Sequence, residues 1–243
     1  MHRQGTVVAG ALVLVVLAVG GTASGSSAGC APLSAQALVR LPTRGVLRGD
    51  VDGDGRSDRV AMAVRQGQPL ACKYVLWVAS KGRVISAVVR QPSLEDTKRT
   101  PYLAELARVN RGRAAQLVVD FGYGASVDSY GLYAVLGGRI VRMRVQGYQG
   151  TPIADTFPSG GSNAGGINSI CAAGPGGGMV LVASYPAVTP LPVPRSGTVY
   201  VLRGDEYRVL GVKPLSPVQR SYWRKQTVRF APIFANCAVA VFR

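Results

Sequence analysis

Apolar and polar side chains alternate with a period of two through much of the chain beyond residue 58. Val60, Met62 and Val64 share one side of a segment whose other side carries Ala61 and Ala63, and Tyr74-Val75-Leu76-Trp77-Val78 is a β-branched and aromatic run. Successive side chains of a strand point to opposite faces, so such patterns predict strands with one or both faces buried. The same reasoning predicts strands at 83–89, 116–121, 130–136, 139–145, 179–184, 198–202 and 207–212. Lys81-Gly82, Gly137-Gly138 and Gly204-Asp205-Glu206 separate pairs of these runs and have the chemistry of hairpin turns. One helix is suggested at 101–109, with Thr100 as N-cap and Pro101 in the first position, although 102–109 also reads as a strand. Residues 158–168, rich in glycine and serine, and the proline-rich 186–194 read as surface loops.

These elements recur in order: a glycine-bearing loop, a strand, a longer loop, a second strand, a tight turn and a third strand. The units fall at about 49–90, 107–147 and 174–215, with further strands expected over 216–243. Aligning Gly112-Arg113 with Gly55-Arg56 makes the loop into the second unit a degenerate copy of the first, and the third unit retains only Gly176-Gly177-Gly178 before Met179. The spacing is of the size that marks propellers and arrays. The expected fold is all-β, a single domain over 29–243 of propeller-type units forming three or four small sheets, with an irregular β-sandwich as the alternative. Three units are fewer than the roughly four to eight blades of a closed propeller. Either the terminal segments complete a further small blade or the domain is an open relative.

The first 28 residues change the compartment. Arg3, the apolar stretch 7–19 and the small residues of 20–29 have the anatomy of a secretory signal, with cleavage sites after Ala23 or Ala28. The stretch is shorter than the ~20 apolar residues needed to span a bilayer. The alternative is a lipid anchor on Cys30, in which Ser27-Ala28-Gly29-Cys30 would be the processing box. Four cysteines in an exported chain suggest two disulfides. The pairing Cys30–Cys72 with Cys171–Cys237 is favoured over the other two connectivities, because each bridge would tie a terminus to the body.

The chain carries Lys+Arg 28 against Asp+Glu 12, a net charge of +16. Such a balance favours anionic partners, here an envelope polymer rather than nucleic acid, while biased arginine usage in a GC-rich genome explains it as well. The stretch 220–230 mixes Arg220, Arg224, Lys225 and Arg229 with Tyr222, Trp223 and Phe230, which suits either stacking plus charge on a ligand or a strand covering a sheet.

One motif carries chemistry. Asp50-Val51-Asp52-Gly53-Asp54-Gly55-Arg56-Ser57-Asp58 places four carboxylates in nine residues, just before a predicted strand. Alternate aspartates converge when a loop curls, glycines permit the curl, and calcium takes six to eight hard oxygen ligands. Asp50, Asp52, Asp54, the carbonyl of Arg56 and Asp58 are the expected ligands. The pattern opens like an EF-hand loop, but the twelfth position is Ala61 rather than glutamate, and a strand follows where a helix should. Loop then strand resembles the FG-GAP or VCBS-type repeats of bacterial extracellular proteins and of integrin α propellers. The resemblance covers about 40 residues; it implies a propeller-type blade whose loop is pinned by a structural calcium.

Enzyme chemistry finds little support. The single histidine is His2, inside the signal segment, so Ser-His and Cys-His pairs and histidine zinc sites are not expected. No Gly-x-Ser-x-Gly elbow occurs after residue 29, and no phosphate-binding glycine loop. A carboxylate-dependent hydrolase would have to draw on Asp120, Asp128, Asp155 or the Asp205-Glu206 turn, with Asp128 the best placed. The leading expectation is a secreted, monomeric, non-enzymatic binding or structural module with an extracellular protein or glycan as partner. A surface module for anionic polymers and a secreted hydrolase are the alternatives.

Overall fold

The computed structural model describes residues 29–90, 100–109, 112–122, 127–147, 155–162, 165–172, 179–186, 195–226, 233–234 and 236–241. The predicted signal segment, Gly176 to Gly178 and residues 187–194 lie outside them. Antiparallel pairing builds three four-stranded meanders. The helix α1 (Ala35–Arg40) precedes the first, which comprises β1 (Leu47–Gly49), β2 (Asp58–Val64), the short α2 (Leu70–Lys73), β3 (Tyr74–Ser80) and β4 (Arg83–Val88). The second comprises β5 (Tyr102–Ala107), β6 (Gln116–Asp120), β7 (Val127–Leu136) and β8 (Arg139–Arg142). After β9 (Arg144–Val145) and β10 (Phe157–Ser162) comes the third, made of β11 (Gly165–Ala172), β12 (Met179–Pro186), β13 (Ser196–Arg203) and β14 (Glu206–Pro214). The helix α3 (Pro217–Gln226) and β15 (Ala238–Val241) follow.

The architecture is all-β, and the strands join two open sheets where three or four small ones were expected. The first meander is a 4-stranded sheet; the second and third merge into an 11-stranded one. The merger arises because β7 is ten residues long and outruns its neighbours. Its last four residues pair with β8, while Val127 to Tyr130 pair with β10, which also pairs with β11. β15 adds to the free edge of β5. The turns Lys81-Gly82 and Gly137-Gly138 have positive φ at both residues (49° and 73°, 56° and 73°), as two-residue type I′ hairpins require.

Packing is layered. Val60, Met62, Tyr74, Leu76 and Val78 of the first meander share one core with Leu103, Leu106, Leu117, Val119 and Phe121 of the second. The opposite face of the second, with Val118, Leu132 and Ala134, packs on Val180, Val182, Tyr200 and Tyr207 of the third. Phe157 sits at the centre of that second core, edge-on to Tyr200, Tyr207 and Phe234 with ring centroids 5.4, 5.4 and 6.0 Å away. Each such pair contributes about 0.5–1.5 kcal/mol beyond the area it buries. The outer face of the first meander is covered at Ala61, Ala63 and Trp77, with Leu41 packed against them. Two disulfides, Cys30–Cys72 and Cys171–Cys237, have the favoured connectivity. They fit an oxidising compartment, and with Cys30 bridged its sulfur offers no thiol to a lipid. No helix among the described residues is long and apolar enough to cross a membrane.

Three local expectations are corrected. Residues 102–107 form β5, so the helical reading of 101–109 gives way to the extended one. The glycine-rich 158–168 is mostly strand, in β10 and β11, where a surface loop was expected; its backbone pairs on both sides, and Ser169 and Ile170 beyond it are buried. Residues 217–226 are helical where strands were expected over 216–243, and the 220–230 cluster is helical as far as Gln226, with 227–230 outside the described residues. Ser216 and Gln219 cap that helix reciprocally: the Ser216 hydroxyl accepts from the Gln219 N–H at 3.2 Å, and the Gln219 side chain accepts from the Ser216 N–H at 2.8 Å.

A β-bulge between Leu103 and Glu105 lets Leu103 and Leu106 both face the first meander and turns Glu105 towards the third. Glu105 is fully buried; one carboxyl oxygen accepts the Phe234 N–H at 2.9 Å and the other meets no donor. Burial pushes this carboxyl up to about 7, against the opposing effect of the Phe234 N–H. The folded chain therefore holds the proton more tightly than the unfolded chain. Its contribution to stability is full below the unfolded value of about 4.5 and is lost as pH rises towards 7. Glu105→Gln should gain on the parent by on the order of 2–3 kcal/mol between pH 4.5 and 7.5. Urea unfolding of both proteins across that range checks this; parallel pH profiles would contradict it.

Candidate metal centre

The acidic loop lies between β1 and β2, and strand register brings its ends together. Gly49 pairs with Asp58, so Asp50 and Asp58 leave adjacent strands side by side. Gly53 and Gly55 take φ of 82° and 85°, a region that glycine enters without a Cβ penalty, and the chain between the aspartates curls back on itself. As a result Asp50, Asp52 and Asp58 each present a carboxylate oxygen within 4.8 Å of the others. Three hard, anionic oxygens at that spacing could hold a metal ion, and their chemistry suits calcium or magnesium better than a soft ion.

Backbone amides orient these carboxylates. Asp50 accepts from Gly53 N–H at 2.7 Å and Gly55 N–H at 2.8 Å, Asp52 from Asp54 N–H at 3.1 Å, and Asp58 from Val51 N–H at 3.0 Å. Asp58 is 2% exposed and Val51 fully buried, so the last bond lies inside the protein. Asp54 stands apart from the three. It accepts from Arg56 N–H at 2.7 Å and forms an ion pair with Lys81 at 2.7 Å. The Lys81 ammonium, then that N–H, holds the Asp54 carboxyl below its ordinary value, and Lys81 is raised in return.

Two partners of the loop were not expected from its sequence. The β3–β4 turn supplies Lys81, and Ser80, whose hydroxyl donates to Asp52 at 3.0 Å. They arrive because Arg59 pairs with Ala79, which sets the end of β3 beside the loop. The carbonyl of Asp50 also accepts the N–H of Ala115 at 2.7 Å, from the loop that leads into β6. A Cβ on Gly53 would lie 3.6 Å from that of Ala114, so the two loops touch. The acidic loop is thus built against the loop that leads into β6, at the seam between the first and second meanders.

The other acids are held in separate roles. Asp120 is 5% exposed and accepts the Gly122 N–H at 2.6 Å and the hydroxyls of Tyr102 and Tyr130. Burial raises its carboxyl, opposed by the Gly122 N–H, and the charge of nearby Asp128 adds to the rise. Asp155 accepts the Val145 N–H at 3.0 Å, and its carbonyl accepts from Arg142. Asp205 and Glu206 pair with Arg144 and Arg208 at a hairpin turn.

Removing Asp58 should cost about 1–3 kcal/mol even in chelator, because it strands the buried Val51 N–H. Asp54→Ala should leave the unfolding midpoint in chelator nearly unchanged, since a surface ion pair contributes little. Thermal unfolding of both variants checks the contrast, and equal losses would contradict it. No family model matches the chain, and no curated protein or solved structure matches it either.

Proposed function

We propose that the chain is an exported, non-enzymatic β-repeat module of the FG-GAP or VCBS kind, in which one structural calcium fixes the junction of its first two units. Asp50, Asp52 and Asp58 would hold the ion, with the Arg56 carbonyl as the further oxygen that the loop pattern offers; Asp54, paired with Lys81, would join them only by leaving that ion pair. The observation that carries this reading is the convergence of three carboxylates on a loop whose own backbone bonds the neighbouring unit, Asp50 to Ala115. Three meanders of equivalent connectivity support propeller-type units in an open arrangement. The ion supplies charge neutralisation and no reaction step. The anchoring roles of Asp120 and Asp155 favour a non-enzymatic reading over a carboxylate hydrolase. The partner is an extracellular protein or glycan. The exposed arginines Arg48 and Arg59, directly opposed on β1 and β2, favour an anionic face on it, because like charges so placed repel until neutralised.

Calcium at about a hundred times its dissociation constant should stabilise the fold by about 2.7 kcal/mol, raising the unfolding midpoint by about 5–10 °C over chelator. Asp52→Ala should abolish the difference. A midpoint that ignores calcium in the parent protein would overturn the proposal.

A further inference from the structure

A cleft of about 380 Å³ opens away from the acidic loop, between the segment that follows α1, the end of β2, the start of β3 and the start of β5. Its floor is apolar: Met62 and Leu103 are buried, and Tyr74 and Tyr102 stand as aromatic walls. Among the described residues the lining includes two cations, Arg44 and Lys73, and no carboxylate. Each cation lies over a ring instead of in an ion pair, Arg44 at 5.0 Å from the Tyr102 centroid and Lys73 at 5.7 Å from that of Tyr74.

A guanidinium stacked by its face keeps its edge N–H donors directed outward, and an ammonium keeps all three of its own. Neither side chain has a hydrogen-bond acceptor or a carboxylate partner among the described residues. The walls are fixed in advance. The Tyr102 hydroxyl is bonded to buried Asp120, and burial together with that charge pushes the phenol up to about 12, so it stays neutral. Lys73 directly follows Cys72, which is bridged to Cys30, and its carbonyl accepts the Arg65 N–H at 2.8 Å. A hollow with a partly apolar lining and two cations that meet no carboxylate among the described residues is suited to small organic anions.

We propose that this cleft binds a small organic anion, a carboxylate or phosphate monoester with a flat or branched apolar body. The anionic group bridges Arg44 and Lys73, and the body lies on Met62, Leu103 and the two tyrosine rings. Arginine takes carboxylate and phosphate alike by paired N–H donors, so the head group can be of either kind. The inference is independent of the calcium loop, which joins β2 at its first residue, Asp58, whereas the cleft is lined by Met62 and Val64 towards its other end.

Isothermal titration with phenylacetate and phenyl phosphate tests the site, with benzyl alcohol and inorganic phosphate as the body-only and head-only controls. At least one of the two whole ligands should bind one to one, about tenfold or more tightly than either control. Arg44→Ala with Lys73→Ala should weaken that binding at least tenfold while leaving the unfolding midpoint in place. Arg83→Ala with Arg139→Ala, which removes two hairpin arginines elsewhere, should leave it unchanged. Equal losses in the two double variants would reduce the effect to general attraction by a chain of charge +16 and overturn the proposal. So would the absence of saturable binding by both whole ligands.

Discussion

Burial of both faces of the second meander is the constraint on which the rest of the structure depends. Leu117 and Val119 of β6 face the first meander, while Val118 between them faces the third. A strand in that position has no solvent side on which to place charge. Polar groups along it have only buried partners to draw on: the Gln116 Oε1 accepts the Tyr207 hydroxyl at 2.8 Å, while its Nε2 meets no acceptor among the described residues. Close fit follows from the same constraint. A Cβ on Gly131 of β7 would come within 2.6 Å of the Phe121 ring, so a glycine in mid-strand is a packing requirement there. The first and third meanders are then outer layers, and the chain must supply covers for them. It does so for the first with the segment around Leu41, secured through Cys30–Cys72.

A layered sheet of this kind is weakest where its layers meet at loops, since loops bury little apolar area. The acidic loop sits at such a seam. Its aspartates convert backbone N–H groups into a curled cradle, and the Asp50 carbonyl reaches across to Ala115. Crowding three carboxylates costs Coulomb energy that amide donors only partly offset. A cation among them would remove the remaining repulsion and stiffen the bridge to the second unit at once. The loop at 112–115 has no carboxylate, and it donates the Ala115 N–H of that bridge. The two loops thus supply the donor and the acceptor of one contact.

Most of the framework was legible because alternation and turn chemistry are local. β2, β3, β6 and β12–β14 follow from their apolar patterns, and the two disulfides from the wish to tie down termini. β11 was hidden because Gly165, Gly166 and Asn168 carry no strand propensity, and only pairing with β10 and β12 fixes them. The helix α3 had a readable signal in Ser216-Pro217-Val218-Gln219, the pattern of a capping box with proline at the first position. Within the acidic loop the convergence of Asp50, Asp52 and Asp58 was legible, because alternate aspartates and glycines define a curl. The departure of Asp54 to Lys81, and the arrival of Ser80, depend on the register of β2 against β3, which no local pattern encodes.

The central claim is that a cation in the acidic loop fastens the first unit to the second through the Asp50–Ala115 hydrogen bond. Amide hydrogen exchange at Ala115, followed with and without calcium, addresses it most directly. The account predicts slow exchange that calcium slows at least tenfold further, with little change at amides in the core of β12 or β13. An Ala115 amide that exchanges at the same rate in calcium and in chelator would contradict it.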